Sequence, residues 1–383
     1  MHFAFAIVSM FPGGGLQRDC VDIARRVRDL GHQVTIFTSR KFGSGYAEDL
    51  PLRILSVGGH TNHHRQRAFS DEFNRVASGD FDFLVGFDKL SGLDILYCSD
   101  RSMQARTAKN PILNLLPRYW EYIGLEKECF APHRTTKILL LSDSQFKEYW
   151  SSWTTELARL IVLPPTLAPT RRMPECRTDG TRAQWRSRLG LAPDDWVWIA
   201  VGVHPKTKGI DRSIWALRRF ADARLLVVGL DEREARSAPI RRLARWLGVA
   251  RRITWLGHRE DVPALMAAAD VFVHPARYDT TGTVILEAIV NGLPVITTSA
   301  CGYAEHVSSA DAGIVVPEPF RQQAFVAALE AARDYARTAR WSKSGREYGK
   351  QSSLYEGRSR ATDLIVASAL EGGKAASRAQ PHP

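Results

Sequence analysis

Three short segments carry residue types whose spacing points to phosphate and sugar chemistry. The run Asp279-Thr280-Thr281-Gly282-Thr283-Val284-Ile285-Leu286-Glu287-Ala288 reads as a loop feeding a helix. Thr281, Gly282 and Thr283 would present backbone N–H groups at the helix start, where an anion is favoured. Asp279 and Glu287 stand eight positions apart. Glu287, one turn inside the helix, has the two oxygens needed to accept from the paired hydroxyls of a ribose. The same two acids also fit a helix cap and an ordinary interior glutamate. A second segment, Gly202 to Arg212, sets Lys206 and Lys208 between a strand and a helix start. A leaving diphosphate needs compensating cations, and lysines beside helix N–H groups supply them. A solvated basic loop would read the same way. The third segment is Gly13-Gly14-Gly15, again between a strand and a helix. Glycines there let the backbone approach a ligand, or simply make a tight turn. The spacing is not G-x-G-x-x-G, and no acid closes the second strand, so a nicotinamide site fits poorly.

The elements that position these residues follow from the apolar pattern. Phe3 to Ser9 is a buried strand. Cys20, Ile23, Ala24, Val27 and Leu30 recur at three and four, which predicts a helix over 16–30 ended by Gly31. Val34 to Thr38, Phe81 to Phe87 and Lys137 to Leu141 continue a βαβ rhythm. The proline-rich stretch from Leu163 to Pro174 reads as an interdomain linker. A second series then begins. Its strands are Trp196 to Val201, Arg224 to Gly229, Arg252 to Leu256, Val271 to His274 and Pro294 to Thr297. Its helices are 208–220, the basic 233–247, 283–291 and a closing region at 320–336. The fold class is therefore α/β, with two Rossmann-like doubly wound halves facing across a cleft. The tail 372–383 is small and polar and is expected to lack structure.

The chain has 383 residues, 44% of them apolar, with a net charge of +11. That supplies ample core material, excludes collagenous, coiled-coil and wholly disordered classes, and favours anionic partners. Cys20, Cys98, Cys129, Cys176 and Cys301 are odd in number and widely spaced, with no C-x-x-C. This argues against a disulfide framework or a zinc cluster and fits a reducing cytosol. No window of about 18 apolar residues suggests a spanning helix, and the N-terminus lacks the features of a signal peptide.

The pairing of Asp279 with Glu287 resembles the acid-x7-acid signature of the GT-B retaining glycosyltransferases of family 4. From Phe3 to about Leu370 the chain is similar, more narrowly, to the lipopolysaccharide core glucosyltransferase I family, the WaaG type. The carrying segments in the first half are Phe11-Pro12, Gly14-Gly15-Leu16-Gln17-Arg18-Asp19, His60-Thr61-Asn62-His63, and Val85-Gly86-Phe87 with Lys89 and Gly92-Leu93-Asp94. Those further on are Leu163-Pro164-Pro165, Lys208-Gly209 with Asp211-Arg212-Ser213-Ile214, Met266-Ala267-Ala268-Ala269-Asp270, Leu286-Glu287-Ala288-Ile289 and Cys301-Gly302-Tyr303-Ala304.

The resemblance implies an acceptor-binding domain over 1–165 and a nucleotide-sugar domain over 166–349, with a closing helix at about 350–370 packing back on the first. It implies transfer of glucose from UDP-glucose to a heptose of the inner core on lipid A, with retention and without a metal or other cofactor. Gly14 and Gly15 would face the diphosphate and sugar. Lys208, with Lys206 nearby, would neutralise the diphosphate. Asp279 would approach the sugar hydroxyls, Glu287 would hold the ribose, and Gly282 and Thr283 would offer N–H groups to phosphate. Asp19 and Asp100 would lie near the reacting centre. Two positions depart from the family: Thr207 stands where an arginine precedes the lysine, and Asp279 is one methylene shorter than the usual glutamate. Both touch the donor site, and they leave the donor sugar open among glucose, galactose and an N-acetylated sugar.

The stretch Arg101 to Arg134 sets Ile112, Leu115, Leu116, Tyr119, Trp120 and Ile123 among Arg106, Lys109, Arg118 and Lys127. Such a segment can lie in a headgroup layer, or pack as an ordinary helix pair; Pro117 divides it in two. A cytoplasmic enzyme attached peripherally to the anionic inner face of the membrane is expected. Rival readings are a family 4 transferase using another UDP-sugar or another lipid-linked acceptor, a Rossmann oxidoreductase and a nucleic-acid binder. The last lacks any helix-turn-helix, RRM, KH or zinc-finger pattern, so no nucleic acid is expected as a partner.

Overall fold

Phe3, Ala4, Phe5 and Ala6 are all fully buried, as a parallel strand covered on both faces requires. In the computed structural model, which describes residues 1–43 and 46–378 (side chains to 372), they form β1 (His2–Ala6). Two compact units are present: 1–165 with the chain from Glu356 onward, and Thr166–Tyr355. The chain returns to the first unit at Glu356, a little later than the sequence places it.

In the first unit, β1 is followed by β2 (Ser9–Met10), α1 (Gly15–Asp29), β3 (Gln33–Thr38), β4 (Arg40–Lys41), β5 (Leu52–Ile54), α2 (Asn62–Ala77), β6 (Phe83–Gly86) and β7 (Ile95–Cys98). Then come α3 (Met103–Lys109), α4 (Pro117–Phe130), β8 (Lys137–Leu140), α5 (Asp143–Trp153) and β9 (Leu160–Val162). Among the described residues these strands form a seven-stranded sheet in the order β5-β3-β1-β6-β7-β8-β9, with β2 and β4 paired separately. Neighbours run parallel, Phe3 opposite both Val34 and Phe83. Alternation along β1 sends Phe3 and Phe5 to the face covered by Ile23 and Val27 of α1. It sends Ala4 and Ala6 to the other face, where their small side chains leave room for Phe69 and Phe73 of α2.

The second unit holds α6 (Thr181–Arg188), β10 (Trp196–Val201), α7 (Ile210–Leu217), β11 (Ala223–Val228), α8 (Ala238–Trp246), β12 (Ile253–Trp255), α9 (Val262–Ala268) and β13 (Val271–His274). It continues with α10 (Thr283–Val290), β14 (Val295–Thr298), α11 (Ala304–Ser309), β15 (Gly313–Val316), α12 (Gln322–Ala331) and α13 (Tyr335–Tyr348). Among the described residues its sheet runs β12-β11-β10-β13-β14-β15, and its pairs are parallel. The order reverses between β10 and β13, and ligands of such sheets bind beyond the carboxyl ends of the strands at that point. The molecule therefore has the GT-B fold, two Rossmann-like doubly wound domains. The last helix, α14 (Gly357–Arg378), covers α1 through Ala361, Ile365 and Ala369.

Several elements differ from the sequence reading. The expected tail from 372 begins inside α14, which runs to Arg378; residues 379–383 lie outside the described residues. Residues of the proline-rich linker are packed, a point the sequence reading left open. Leu163 belongs to the core of the first unit and Leu167 to that of the second. Pro239 shortens the basic helix to α8 by taking its first turn, where a missing N–H does no harm. The closing region at 320–336 is two helices, α12 and α13. Pro117 does begin a new helix, α4, after a 3-10 turn at Pro111–Leu115. That turn and the start of α4 carry an exposed apolar edge, with Leu115 77% and Trp120 64% accessible beside Ile112 and Leu116. Among the described residues no helix is long and apolar enough to cross a membrane.

Candidate active site

The carboxyl ends of β10 and β13 deliver the two loops singled out by sequence to one place. Lys208, in the loop after β10, donates to Asp279 Oδ2 at 2.6 Å. His274, the last residue of β13, meets the same oxygen through Nε2 at 2.9 Å. Burial, the strongest influence on both acids and bases here, opposes the charged forms, and the contact overcomes it. His274 is pushed up to about 9, chiefly by the Asp279 carboxylate. Asp279 is held well below the usual carboxylate range by His274 and Lys208. At neutral pH an ammonium and an imidazolium thus share one carboxylate, leaving a surplus positive charge at the switch point.

Local packing fixes this trio. Gly209 begins α7 at φ +71°, and a Cβ there would strike the Pro275 carbonyl oxygen at 1.9 Å. Only glycine allows the loop after β10 to lie so close to the exit of β13. Arg277 ties the same loops together: it donates to the Lys206 carbonyl at 2.6 Å and grips Asp211 with both terminal nitrogens. The Asp279 loop is strapped to the segment after β14. The Gly302 N–H donates to the Asp279 carbonyl at 2.9 Å, and the Tyr303 N–H to the Thr281 carbonyl at 2.7 Å. The Cys301-Gly302-Tyr303-Ala304 segment therefore acts as a brace for Asp279.

Gly282 caps α10 at φ +75°, and a Cβ on it would lie 3.4 Å from Asp279 Oδ2. Gly282 and Thr283 thus bring the N-terminus of α10 beside the cluster. Glu287 lies one turn further along α10, buried, with its Oε1 3.7 Å from Arg171 Nε. Asn291 locks that end of the helix by accepting from the Met173 N–H and donating to the Arg171 carbonyl. Lys206 is exposed. Thr207 gives its carbonyl to the Arg277 N–H at 2.8 Å.

The predicted residues of the first unit fall in two settings. Gly14 caps α1 in an extended conformation, and Gly15 opens it with no heavy atom near its Cβ position, so the backbone there is accessible. Asp19 is buried on α1, and both its oxygens are engaged: Tyr97 donates to one at 2.9 Å and Arg358 of α14 to the other at 2.7 Å. Burial raises its carboxyl, and Arg358 and Tyr97 only partly offset this. Asp100 is exposed in the loop after β7, with its carbonyl accepting from Gln145 at 2.7 Å.

His274, Arg277 and Arg171 were not anticipated. His274 carried a signal: a histidine that ends the apolar run Val271-Phe272-Val273, five residues before the acid it meets. Arg277 and Arg171 carried none, since their partners are distant in sequence. Among the described residues no group of three or more His, Cys, Asp or Glu is placed to hold a metal ion.

Comparison with known proteins places this geometry among glycosyltransferases. A family profile described as glycosyl transferases group 1 matches residues 181–348. The lipopolysaccharide glucosyltransferase WaaG of Escherichia coli K12 is 34% identical over 376 residues, covering 96% of this chain and 99% of that one. The crystal structure of WaaG, a glycosyltransferase involved in lipopolysaccharide biosynthesis, superposes with a TM-score of 0.87 at 33% identity, over 95% of this chain and 99% of that one. The Anabaena protein HepE, solved in complex with UDP-glucose, shares the fold at TM-score 0.73 and 18% identity, over 96% of this chain and all of that one.

Proposed function

Because the chain belongs to the WaaG-type lipopolysaccharide core glucosyltransferase family, and so is a glycosyltransferase of lipopolysaccharide core biosynthesis, we propose that it moves glucose from UDP-glucose to a heptose of the inner core, with retention. The observation that carries this reading is the Lys208–Asp279–His274 cluster at the switch point, beside the N-terminus of α10. A diphosphate gains negative charge as the sugar leaves. A fixed positive surplus and helix N–H groups at that place stabilise it without reorganisation.

In this reading Lys208, with Lys206 nearby, neutralises the diphosphate, and Gly282 and Thr283 donate N–H groups to it. Asp279 keeps Oδ2 on its two cations and offers Oδ1 to the donor sugar's hydroxyls. Glu287 holds the ribose, and Gly14 and Gly15 admit the donor along the start of α1. No protein nucleophile is required: the donor phosphate takes the acceptor hydroxyl's proton on the same face, and the enzyme contributes positioning and charge. No metal or other cofactor takes part. Asp100, accessible at a strand exit, suits a place near the reacting centre; the paired Asp19 suits support of α1. The exposed edge of Leu115 and Trp120 with nearby Arg118 suits attachment to the anionic inner face of the membrane, where a lipid-borne acceptor resides.

Calorimetric titration with UDP, UDP-glucose, UDP-galactose and UDP-N-acetylglucosamine in the presence of a chelator tests the donor site. Binding of UDP and of UDP-glucose above the others supports it. No binding of any nucleotide, or binding unaffected by Glu287→Ala, overturns it. Proton spectra of the product with heptosylated core saccharide report the anomeric outcome.

A further inference from the structure

The amino ends of the second sheet carry a cavity that the donor chemistry leaves unused. Trp196 opens β10 in its wall, and Asp222, Asp270 and Pro294 stand there just before β11, β13 and β14. These strands are parallel, and Lys208 and His274 stand at their carboxyl ends. The cavity therefore lies at the opposite edge of the sheet from the Asp279 cluster. It encloses about 610 Å3, within the roughly 300–1,000 Å3 of small-molecule sites.

Charge sets its character. Four arginines and three aspartates line it. Two pairs cancel: Arg182 donates to Asp270 Oδ1 at 2.6 Å, and Arg333 to Asp222 Oδ1. Asp194 is exposed, where salt and water screen it. Arg177 and Arg346 remain, both half-buried and, among the described residues, without an ion pair. Arg177 directs Nη1 to the Met266 and Ala269 carbonyls, 3.2 Å from each. Arg346 Nη1 donates to the Ser342 hydroxyl at 2.8 Å. The other N–H groups of both guanidiniums, and the Ser342 hydroxyl proton, have no partner among the described residues. Arg177 is pulled down to about 10, first by burial and then by the charges of Arg182 and Arg346, with Asp270 opposing. It stays protonated at neutral pH, so the cavity holds a like-charge pair, which a bound anion would turn into an attractive set.

We propose that this cavity binds a small phosphate-bearing anion, held between the Arg177 and Arg346 guanidiniums, with the Ser342 hydroxyl donating to it. The planar fork of arginine matches the oxygens of a phosphate two at a time. The stem of Arg346 is held in place for this: it packs on Gly292, at φ +69°, where a Cβ would lie 2.9 Å from Arg346 Cγ. At roughly 30 Å3 per liquid water, the space also admits a sugar ring beyond the phosphate.

The test titrates inorganic phosphate and ribose 5-phosphate into the full-length protein by calorimetry, with ionic strength held constant by sodium chloride. Arg346→Gln removes one cation. Ser342→Asp sets a carboxylate of the chain beside it, and serves if loss of Arg346 loosens α13. Lys208→Ala removes the cation of the donor cluster. Both ligands should bind the wild type and Lys208→Ala within twofold of each other. Affinity should fall about tenfold or more in Arg346→Gln and in Ser342→Asp. Tighter binding of ribose 5-phosphate than of phosphate assigns the cavity to a phosphate ester, and equal affinity assigns it to the free ion. No binding by the wild type at millimolar ligand, or unchanged affinity in both cavity variants, overturns the proposal. Binding lost in Lys208→Ala and kept in Arg346→Gln puts the phosphate at the donor cluster and overturns it as well.

Discussion

Lys208 and Asp279 meet at 2.6 Å across the gap between the loops that leave β10 and β13. The oxygen they share is also held by His274 at 2.9 Å. Two cations on one carboxylate oxygen make a rigid, positively biased corner where the sheet reverses its order. Lys208→Ala removes the more accessible of the two. A fall of about 10²–10³ in kcat is expected, the scale for losing one preorganised electrostatic partner. Lys208→Arg should recover part of it. Steady-state rates with saturating UDP-sugar check this; wild-type kcat in Lys208→Ala would refute the role.

His274 makes stability depend on pH. A base whose pKa rises on folding, here from about 6.5 to about 9, stabilises the fold while it stays protonated. Its contribution is complete below pH 6.5 and gone once pH passes about 9. The second unit should lose on the order of 3 kcal/mol over that window. His274→Gln should flatten the profile. Urea unfolding followed by tryptophan fluorescence at pH 6 and 9.5 measures the difference.

Asp19 and Arg358 hold the first and last helices together. Arg358→Met would leave the Asp19 carboxylate buried beside Tyr97 without its cation. A loss of about 3–5 kcal/mol is expected for breaking such a pair. UDP binding by the folded fraction should persist, because Lys208, Asp279 and Glu287 lie in the other unit. Chemical denaturation and calorimetry on the same sample separate the two effects.

The exposed edge at Leu115 and Trp120 should govern attachment to lipid. Leu115→Glu with Trp120→Glu should release the protein from vesicles containing an anionic lipid, while UDP affinity is retained. Wild-type binding should weaken as salt rises, since Arg118 and Lys109 supply the electrostatic part. Co-sedimentation with vesicles is the measurement, and equal binding by the double variant would refute the assignment.

The sequence made the frame of both units legible where apolar runs were long or sharply bounded. Trp196–Val201 and Val271–His274 are strands over the residues their hydrophobicity marks. Ile95–Cys98 and Gly313–Val316 were not read as strands, because four residues beside loops show no period. Of the site, Lys208, Asp279 and Gly282 stood out because loop chemistry is local. His274 and Arg277 did not, because what makes them functional is a partner brought close only by the sheet's reversal. Asp19 was visible as an acid, but its buried pairing with a residue near the other end of the chain was not. That Leu163 and Leu167 of the proline-rich stretch each find a core was not legible either, since composition records stiffness and not packing.

Because Ala361, Ile365 and Ala369 of α14 complete the cover over α1, the first unit is built from segments that flank the second on both sides in sequence. On a ribosome, the second unit has all of its residues while the first still lacks a helix. The Phe3–Phe5 face of β1 then waits, partly uncovered, for the last stretch to emerge. Synthesis from the N-terminus thus favours the middle of the chain as the first finished body. A stop codon in place of Gly357 would yield a polypeptide with an intact second unit and an apolar wound on the first, a substrate for chaperones and proteases rather than a shortened enzyme.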